Sequence, residues 1–559
     1  MMKRKGHLSI ILANILVCSV VLAGCGSKDD GIEQSGSANS GNQGTGEAVI
    51  EPLGKYDPPI DVTAAKFITQ DVVYPEGQSE SKNAWEDLYK EMGINLKYDW
   101  IVKGTDAQYF QKLNLSIASG EIPDLMMVNS SQLKQLVESD MLEDLTSVYE
   151  KYATPAVKSV FEQDKQALQS VTFDGKLFAI PKTEPMIGAQ TPLLWLRTDW
   201  LTKLGLSEPK TWEEVLQISN AFTTKDPDGN GKADTFGIAL SKDIINGYPS
   251  LNGFLNAYGA YPRIWKKDAS GNLVYGSIQP EVKSALIKLA ELYKNGELDK
   301  EFGVKDGSKV AESLVGDRIG MMFGPSWASQ WPLQDNKKKN GAAEWRAFPI
   351  PSVDGGNATV QMPFGASFYY VVKKDMKHPE IAVKMANLFM EKLYGETADY
   401  LKYGVDGSGI TVAKYSMVDL FAPDKDINRS VNVAEAIKIG DPSKLNPEEK
   451  STYDKIKAFE GGDLNFYGEM YQNGPEGAMM VLKKLSDEGK VIAEGYGGAP
   501  TDTMGEKKAT LEKMETEIFT KIVYGAASID QFDKFVEDWK ALGGDQITQE
   551  VNEWNVSQQ

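Results

Sequence analysis

The chain has 559 residues, 41% of them hydrophobic and 25% charged, which supports a large core and exceeds one small domain. Its formal net charge is -19, and no Lys/Arg block is longer than Lys337–Lys339, which excludes the basic footprint of a nucleic-acid binder. Two His and two Cys leave a His-based nucleophilic triad or a zinc cage almost nothing to draw on.

At the N-terminus, Lys3, Arg4 and Lys5 precede an apolar run, Leu8–Leu22, that is short for a membrane span. The run ends Leu22-Ala23-Gly24-Cys25, which resembles a bacterial lipoprotein signal. That resemblance implies cleavage after residue 24 and lipidation of Cys25. The alternative is an ordinary secretory signal with a chance cysteine. Cys18 lies inside the apolar run, so either route leaves no thiol pair for a disulfide. Residues 26–51, rich in Gly, Ser, Asn and Gln, cannot bury apolar surface, and 25–57 reads as a flexible tether.

Strand and helix patterns then alternate. Val62–Thr69 and Gly93–Tyr98 read as strands, and Trp85–Met92 and Tyr109–Ala118 as helices. Leu125–Val128 is a short buried strand, after which Ser130-Ser131 caps a helix through Leu133, Leu136 and Val137. This alternation argues an α/β layer. Phe173–Pro181 reads as a hairpin ending in a strand, and Leu193–Leu196 as another strand. Thr211 and Glu214 form a capping box for the next helix.

Residues 226–237 place side-chain oxygens at loop positions 1, 3, 5 and 9 (Asp226, Asp228, Asn230, Asp234) and a glycine at position 6. Lys232, at position 7, offers its backbone carbonyl. This is the EF-hand calcium pattern as far as position 9; Gly237 stands where a bidentate Glu belongs. A structural calcium ion is expected, against the alternative of a polar Gly/Asp turn.

Asn246–Ala260 reads as a helix, and Glu281–Lys294 as an amphipathic one. Gly320–Phe323 suits a buried strand that breaks at Gly324-Pro325. A helical turn beyond the break sets Trp327 and Trp331 on one face, either in the core or open for stacking. Phe368–Val372 is a strand, Pro379–Met390 a helix, and the C-terminal part from Pro442 is mostly helical. It carries a loop, Gly495–Pro500, and a final amphipathic helix, Ile529–Leu542.

Ser119–Asp124, Phe178–Pro181, Leu194–Trp200, Thr211–Glu214 and Gly316–Trp327, in this order, resemble the bacterial extracellular solute-binding proteins of the carbohydrate-importer type, the maltose-binding-like group. Gly543–Trp554 is similar to the tails of the large Gram-positive lipoprotein members. The resemblance implies an α/β fold of two lobes with a ligand cleft between them, closing about a hinge. Crossings are placed near Ile180–Thr191, Phe348–Pro351 and Gly404–Gly409, giving an N-terminal lobe of 58–182 and 349–406 and a C-terminal lobe of 183–348 and 407–559.

It further implies capture of an oligosaccharide for an ABC importer permease by a lipid-anchored monomer on the outer face of the cytoplasmic membrane. In the cleft it puts Trp327 first and Trp331 second. Asn129 and Ser131 follow a strand end and can bond hydroxyls, with helix capping as the other role for Ser131. Trp195, Asn246, Tyr248 and Tyr258 are wall candidates, and Phe364 and Tyr496 sit in Gly-rich loops. Sugar sites combine aromatic faces with polar side chains in this way. A carboxylate pair of a glycoside hydrolase is the one enzymatic route left by the composition, and a sensor or adhesin is the other alternative. No residue pair marks out the hydrolase.

Overall fold

Along Ile60–Thr69, Ile60, Val62, Ala64 and Ile68 bury one face of the strand, and Ala65, between half-buried Thr63 and Phe67, covers the middle of the other. In the computed structural model, which describes residues 51–558, this strand pairs in parallel with Ile94–Gly104. A bulge between Ala64 and Ala65 shifts the register. The first sheet runs in the order Ile94–Gly104, Ile60–Thr69, Leu125–Asn129, Ala366–Val372, Ile180–Thr183. Its last two strands are antiparallel neighbours, and Ala366–Val372 also runs antiparallel to Leu125–Asn129. The signal peptide, Cys25 and most of the tether lie outside the described residues.

The second sheet orders Trp345–Phe348, Leu193–Arg197, Ile319–Gly324 and Phe236–Ile238. Every residue of Leu193–Arg197 is buried. Arg197 is tolerated there because it is forked onto Asp199 at 2.7 Å, bonded to Asp317 at 2.5 Å, and stacked over Trp200.

Two hydrophobic cores result. One gathers Trp85, Tyr89, Phe161 and Phe389 around the first sheet. The other gathers Trp195, Trp212 and Phe323 with Phe519, Phe532 and Trp539 of the C-terminal helices around the second. This is the two-lobe α/β architecture. The first core gives way to the second between Thr183 and Ile187.

The other two crossings lie later than the Gly and Pro pattern suggests. Ile350, Ala358 and Val360 still pack in the second core, and Val360–Met362 pairs with Val491–Ala493, so the crossing falls before Ala366. Val412, Met417 and Leu420 still pack in the first core, and Phe421 N–H donates to Thr183, so the last crossing precedes Ile427. Gly404–Gly409 is instead a local turn, closed by the Val405–Thr411 bridge and by backbone N–H groups on Asp406.

The tether also ends earlier than residue 57. Tyr56 is buried and its hydroxyl donates to Glu380 at 2.8 Å. The buried Lys384 ammonium donates to the Glu51 and Gly54 carbonyls, and the Asn387 amide to Pro52.

Helix limits differ in two places. Asn246 has φ 58° and Pro249 follows Tyr248, so only Asn252–Ala257 is helical in the 246–260 stretch. Asp502–Val523 forms one long helix. The terminal helix is Gln531–Trp539, and beyond the left-handed Gly543 a further helix, Asp545–Ser557, continues. Among the described residues no helix is long and apolar enough to cross a membrane.

Candidate functional site

The break after Gly324 positions an aromatic cluster. Ser326–Ser329 makes a single tight turn, and Trp331 N–H closes onto the Trp327 carbonyl at 3.3 Å. Trp327 and Trp331 therefore share a face, with centroids 6.5 Å apart and planes 22° apart. Tyr248 packs against both rings, at 4.6 Å from Trp327 and 5.5 Å from Trp331, and donates its hydroxyl to the Trp331 carbonyl. Trp327 is half-buried, whereas Trp331 is 41% exposed.

The cluster is tied to the first crossing. Trp327 Nε1 donates to Ala189 at 2.9 Å and Ser326 Oγ to Gly188 at 2.8 Å, both in the helix Met186–Gln190. Behind the turn, Gly468 lies so close that a Cβ would come 2.5 Å from Gln330 Cα, and Ser329 Oγ donates to its carbonyl.

On the other lobe, a cavity of about 420 Å³ opens where the parallel strands end, lined by Phe67, Thr69, Met127, Phe368, Lys182 and Asp419 among others. Open α/β sheets take ligands outside these carboxyl ends. Lys182 pairs with Asp419 and, at 3.3 Å, with Glu184, while the Tyr370 hydroxyl donates to Asp419. Burial opposes the Lys182 charge, yet Asp419 and Glu184 outweigh it and hold its pKa above the ordinary lysine value. Burial raises Glu184 despite Lys182. Burial, then Asp419, drives Tyr370 well up.

A second cavity, of about 390 Å³, lies where all three crossings meet, with Glu184, Met186, Phe364, Gly365 and Asp424 in its wall. A third, of about 300 Å³, brings Ser130, Ala366 and Tyr369 of the first lobe against Arg263, Glu494 and Tyr496 of the second. Glu494 accepts from the Trp265 and Tyr496 N–H groups, and burial pushes its carboxyl up to about 7. A neighbouring cavity of about 630 Å³ lies against Lys134, Asp174, Tyr496, Asp502 and Glu550.

The ten sequence candidates thus separate. Tyr248, Trp327 and Trp331 form one cluster, with Asn246 exposed near it and bonded to Asn252. Phe364 and Tyr496 line the third cavity together. Ser131 is exposed. The cap of the helix Ser130–Glu138 is Asn129, whose side-chain oxygen accepts from Gln132 N–H in a capping box, and not Ser130-Ser131.

Two wall candidates are structural. Trp195 is fully buried and its indole holds the Pro325 carbonyl, because its strand is covered on both faces. Tyr258 packs on Phe254 and accepts from the Trp212 indole. The Lys182, Glu184 and Asp419 group was not anticipated. Its one legible signal is a charged pair following Phe178–Pro181 at a crossing; Asp419 comes from 237 residues away.

In the loop at 226–234, Asp226 accepts from the N–H groups of Gly229, Asn230 and Gly231, with Gly231 at φ 77°. The Asn230 amide bridges Asp228 at 2.6 Å and Asp234 at 3.0 Å. Two carboxylates, Asp228 and Asp234, therefore meet at one amide, whose oxygen end is a further ligand type for a hard cation, while Asp226 is held by backbone N–H groups. Asp226 is lowered chiefly by its hydrogen bond with Asp228; burial and then Asp226 raise Asp228. Thr235 is turned inward onto the Phe222 carbonyl. Among the described residues no group of three or more His, Cys, Asp or Glu reaches full metal-holding geometry.

Two lobes, three crossings and an aromatic face at the crossing define a hinged solute-binding protein. The model of the bacterial extracellular solute-binding protein family matches residues 73–398, more than half of the chain, and the chain belongs to that family. It is 24% identical over 485 residues to Lipoprotein LipO of Bacillus subtilis (strain 168), covering 86% of this chain and 89% of LipO. It is 25% identical to the polygalacturonan/rhamnogalacturonan-binding protein YtcQ of the same organism, covering 93% and 96%. A solved structure of the S. pneumoniae ABC-transporter substrate-binding protein FusA, an EF-hand mutant in complex with fructo-nystose, shares the fold. Its TM-score is 0.57 at 16% identity, over 89% of this chain and 99% of that one.

Proposed function

We propose that this protein captures an oligosaccharide between its lobes and delivers it to an ABC importer in the membrane. The observation that carries this is the Tyr248, Trp327 and Trp331 cluster, an exposed aromatic face fixed to a lobe crossing. A pyranose or furanose ring offers an apolar face to such a surface and a hydroxyl rim to polar groups beside it. Closure about the crossings buries the ligand, and the permease reads the closed form through population shift. The relatives named above support the reading: their names include a polysaccharide-binding protein and an ABC-transporter substrate-binding protein.

The same reading makes the protein a binding protein without turnover, a monomer anchored through lipid on Cys25 and facing outward. A calcium ion at Asp226, Asp228, Asn230, Asp234 and the Lys232 carbonyl belongs to it, supported by the converging carboxylates and by an EF-hand in FusA. Such an ion would tie the loop together and takes no part in ligand chemistry.

A thermal-shift screen of the full-length protein against oligosaccharides, with and without calcium, tests the function. A ligand at a hundred times its Kd adds about 2.7 kcal/mol. A shift lost in Trp327→Ala supports the reading; consumption of the sugar during the assay, or no shift with any sugar, overturns it.

A further inference from the structure

Resting on oligosaccharide capture, we propose that the ligand is uncharged and that sugars bearing carboxylates are rejected. The reason is the state of the cations. A carboxylate is held most strongly by a Lys or Arg whose donors are free to face it. Each Lys and Arg lining the four cavities already has an acidic partner.

At the strand ends, Lys66 is paired with Glu86 at 3.0 Å, Lys414 with Asp71 at 2.6 Å, and Lys182 with both Asp419 and Glu184. Between the lobes, Arg263 is paired with Glu515 at 3.3 Å, Lys508 lies 3.9 Å from Glu512, and Lys134 lies 2.5 Å from Asp502. The cavity at the crossings has Asp164, Glu184 and Asp424 in its wall and neither Lys nor Arg.

The balance immediately around Lys182 is acidic. One ammonium, Lys182, answers two carboxylates, and Glu184 belongs to both the strand-end cavity and the crossing cavity. A uronate bound here must either displace Asp419 or Glu184 from Lys182 or sit beside an unmatched carboxylate. Like-charge juxtaposition of that kind excludes wrong partners. A neutral sugar meets no such barrier: its hydroxyls accept from Lys182 and donate to Asp419 or Glu184.

The experiment uses one skeleton in two charge states. Tri- to pentagalacturonides, the same oligomers fully methyl-esterified, and neutral gluco- and fructo-oligosaccharides of equal length are titrated against the full-length protein by calorimetry at two salt concentrations. Neutral or esterified oligomers binding at least about tenfold tighter than the free acids supports the proposal. Glu184→Gln leaves Lys182 with one carboxylate and is expected to raise affinity for the free acids severalfold, more at low salt. Free galacturonides binding as tightly as their esters, or more tightly at low salt, overturns the proposal while oligosaccharide capture stands. Binding of none of the three sets overturns capture itself.

Discussion

Trp327 and Ala189 are joined by an indole N–H donating to a backbone carbonyl at 2.9 Å. One residue supplies a wall of the aromatic cluster; the other lies in the helix that follows the first lobe crossing. A ligand pressing on the indole therefore acts on a group bonded to the crossing.

That relationship separates two substitutions. Trp327→Phe keeps an aromatic face and loses the N–H, so the Ala189 carbonyl must turn to water. We expect ligand affinity to fall modestly and the closing rate, read by stopped-flow tryptophan fluorescence, to change. Trp327→Ala removes the face as well and should abolish ligand-induced stabilisation. Trp327 is half-buried, so its cost to the unliganded protein should stay below the roughly 3–5 kcal/mol of a fully buried Trp→Ala change. Equal behaviour of the two variants would show that the N–H bond carries no coupling.

The calcium loop is tested by removal. Chelation should lower Tm in the native protein and leave an Asp226→Asn, Asp228→Asn variant unchanged, because charge supplies most of the affinity for a hard cation. The expected effect on the native protein is about 1–3 kcal/mol at saturating calcium. No calcium by metal analysis, together with no chelator effect, would leave the loop as a turn held by the Asn230 amide.

The fold was legible where pattern is local. The alternation of residues 60–138 gave strands and helices close to those observed, though the cap at Asn129 was placed one residue late, and Thr211 with Glu214 is the capping box expected. The later two crossings were not, because Gly and Pro mark turns, and Gly404–Gly409 is a turn inside one lobe. Trp195 was misread because a Trp in a strand covered on both faces carries the same letter as one on a wall. The Lys182–Asp419 pair joins residues 237 apart, a distance at which a single sequence has no signal.

Stability should depend on pH through Glu494. Burial raises its carboxyl from 4.5 to about 7, so between those values the folded chain holds a proton that the unfolded chain releases. Stability is then greatest below about pH 4.5 from this group, falls as pH rises toward 7, and levels off above. Glu515, also raised to about 7, adds a slope of the same sign, with Arg263 beside it pulling the other way. Since Glu494 is partly exposed, its share is about 1–3 kcal/mol. Glu494→Gln keeps an oxygen for the Trp265 and Tyr496 N–H groups and should flatten part of the decline in Tm from pH 5 to 8. An unchanged slope would exclude Glu494 as its source.

Where the tether ends can be tested at Lys384. Lys384 is fully buried, and burial lowers its pKa while Glu380 partly offsets that. Its ammonium is held by the carbonyls of Glu51 and Gly54 and stands 4.3 Å above the Tyr56 ring. Deleting residues 26–50 removes a segment whose composition buries nothing and should leave Tm unchanged. Extending the deletion through residue 57 strips the ammonium of its acceptors and opens the Tyr56 site, at a cost of about 3 kcal/mol or more. Lys384→Met should recover part of that loss in the shorter chain, since no charge is then left to desolvate, yet should destabilise the longer one, where the two carbonyls lose their donor. Opposite signs for one substitution in two chain lengths would place the boundary of the folded body at Glu51. Equal signs would return residues 51–57 to the tether.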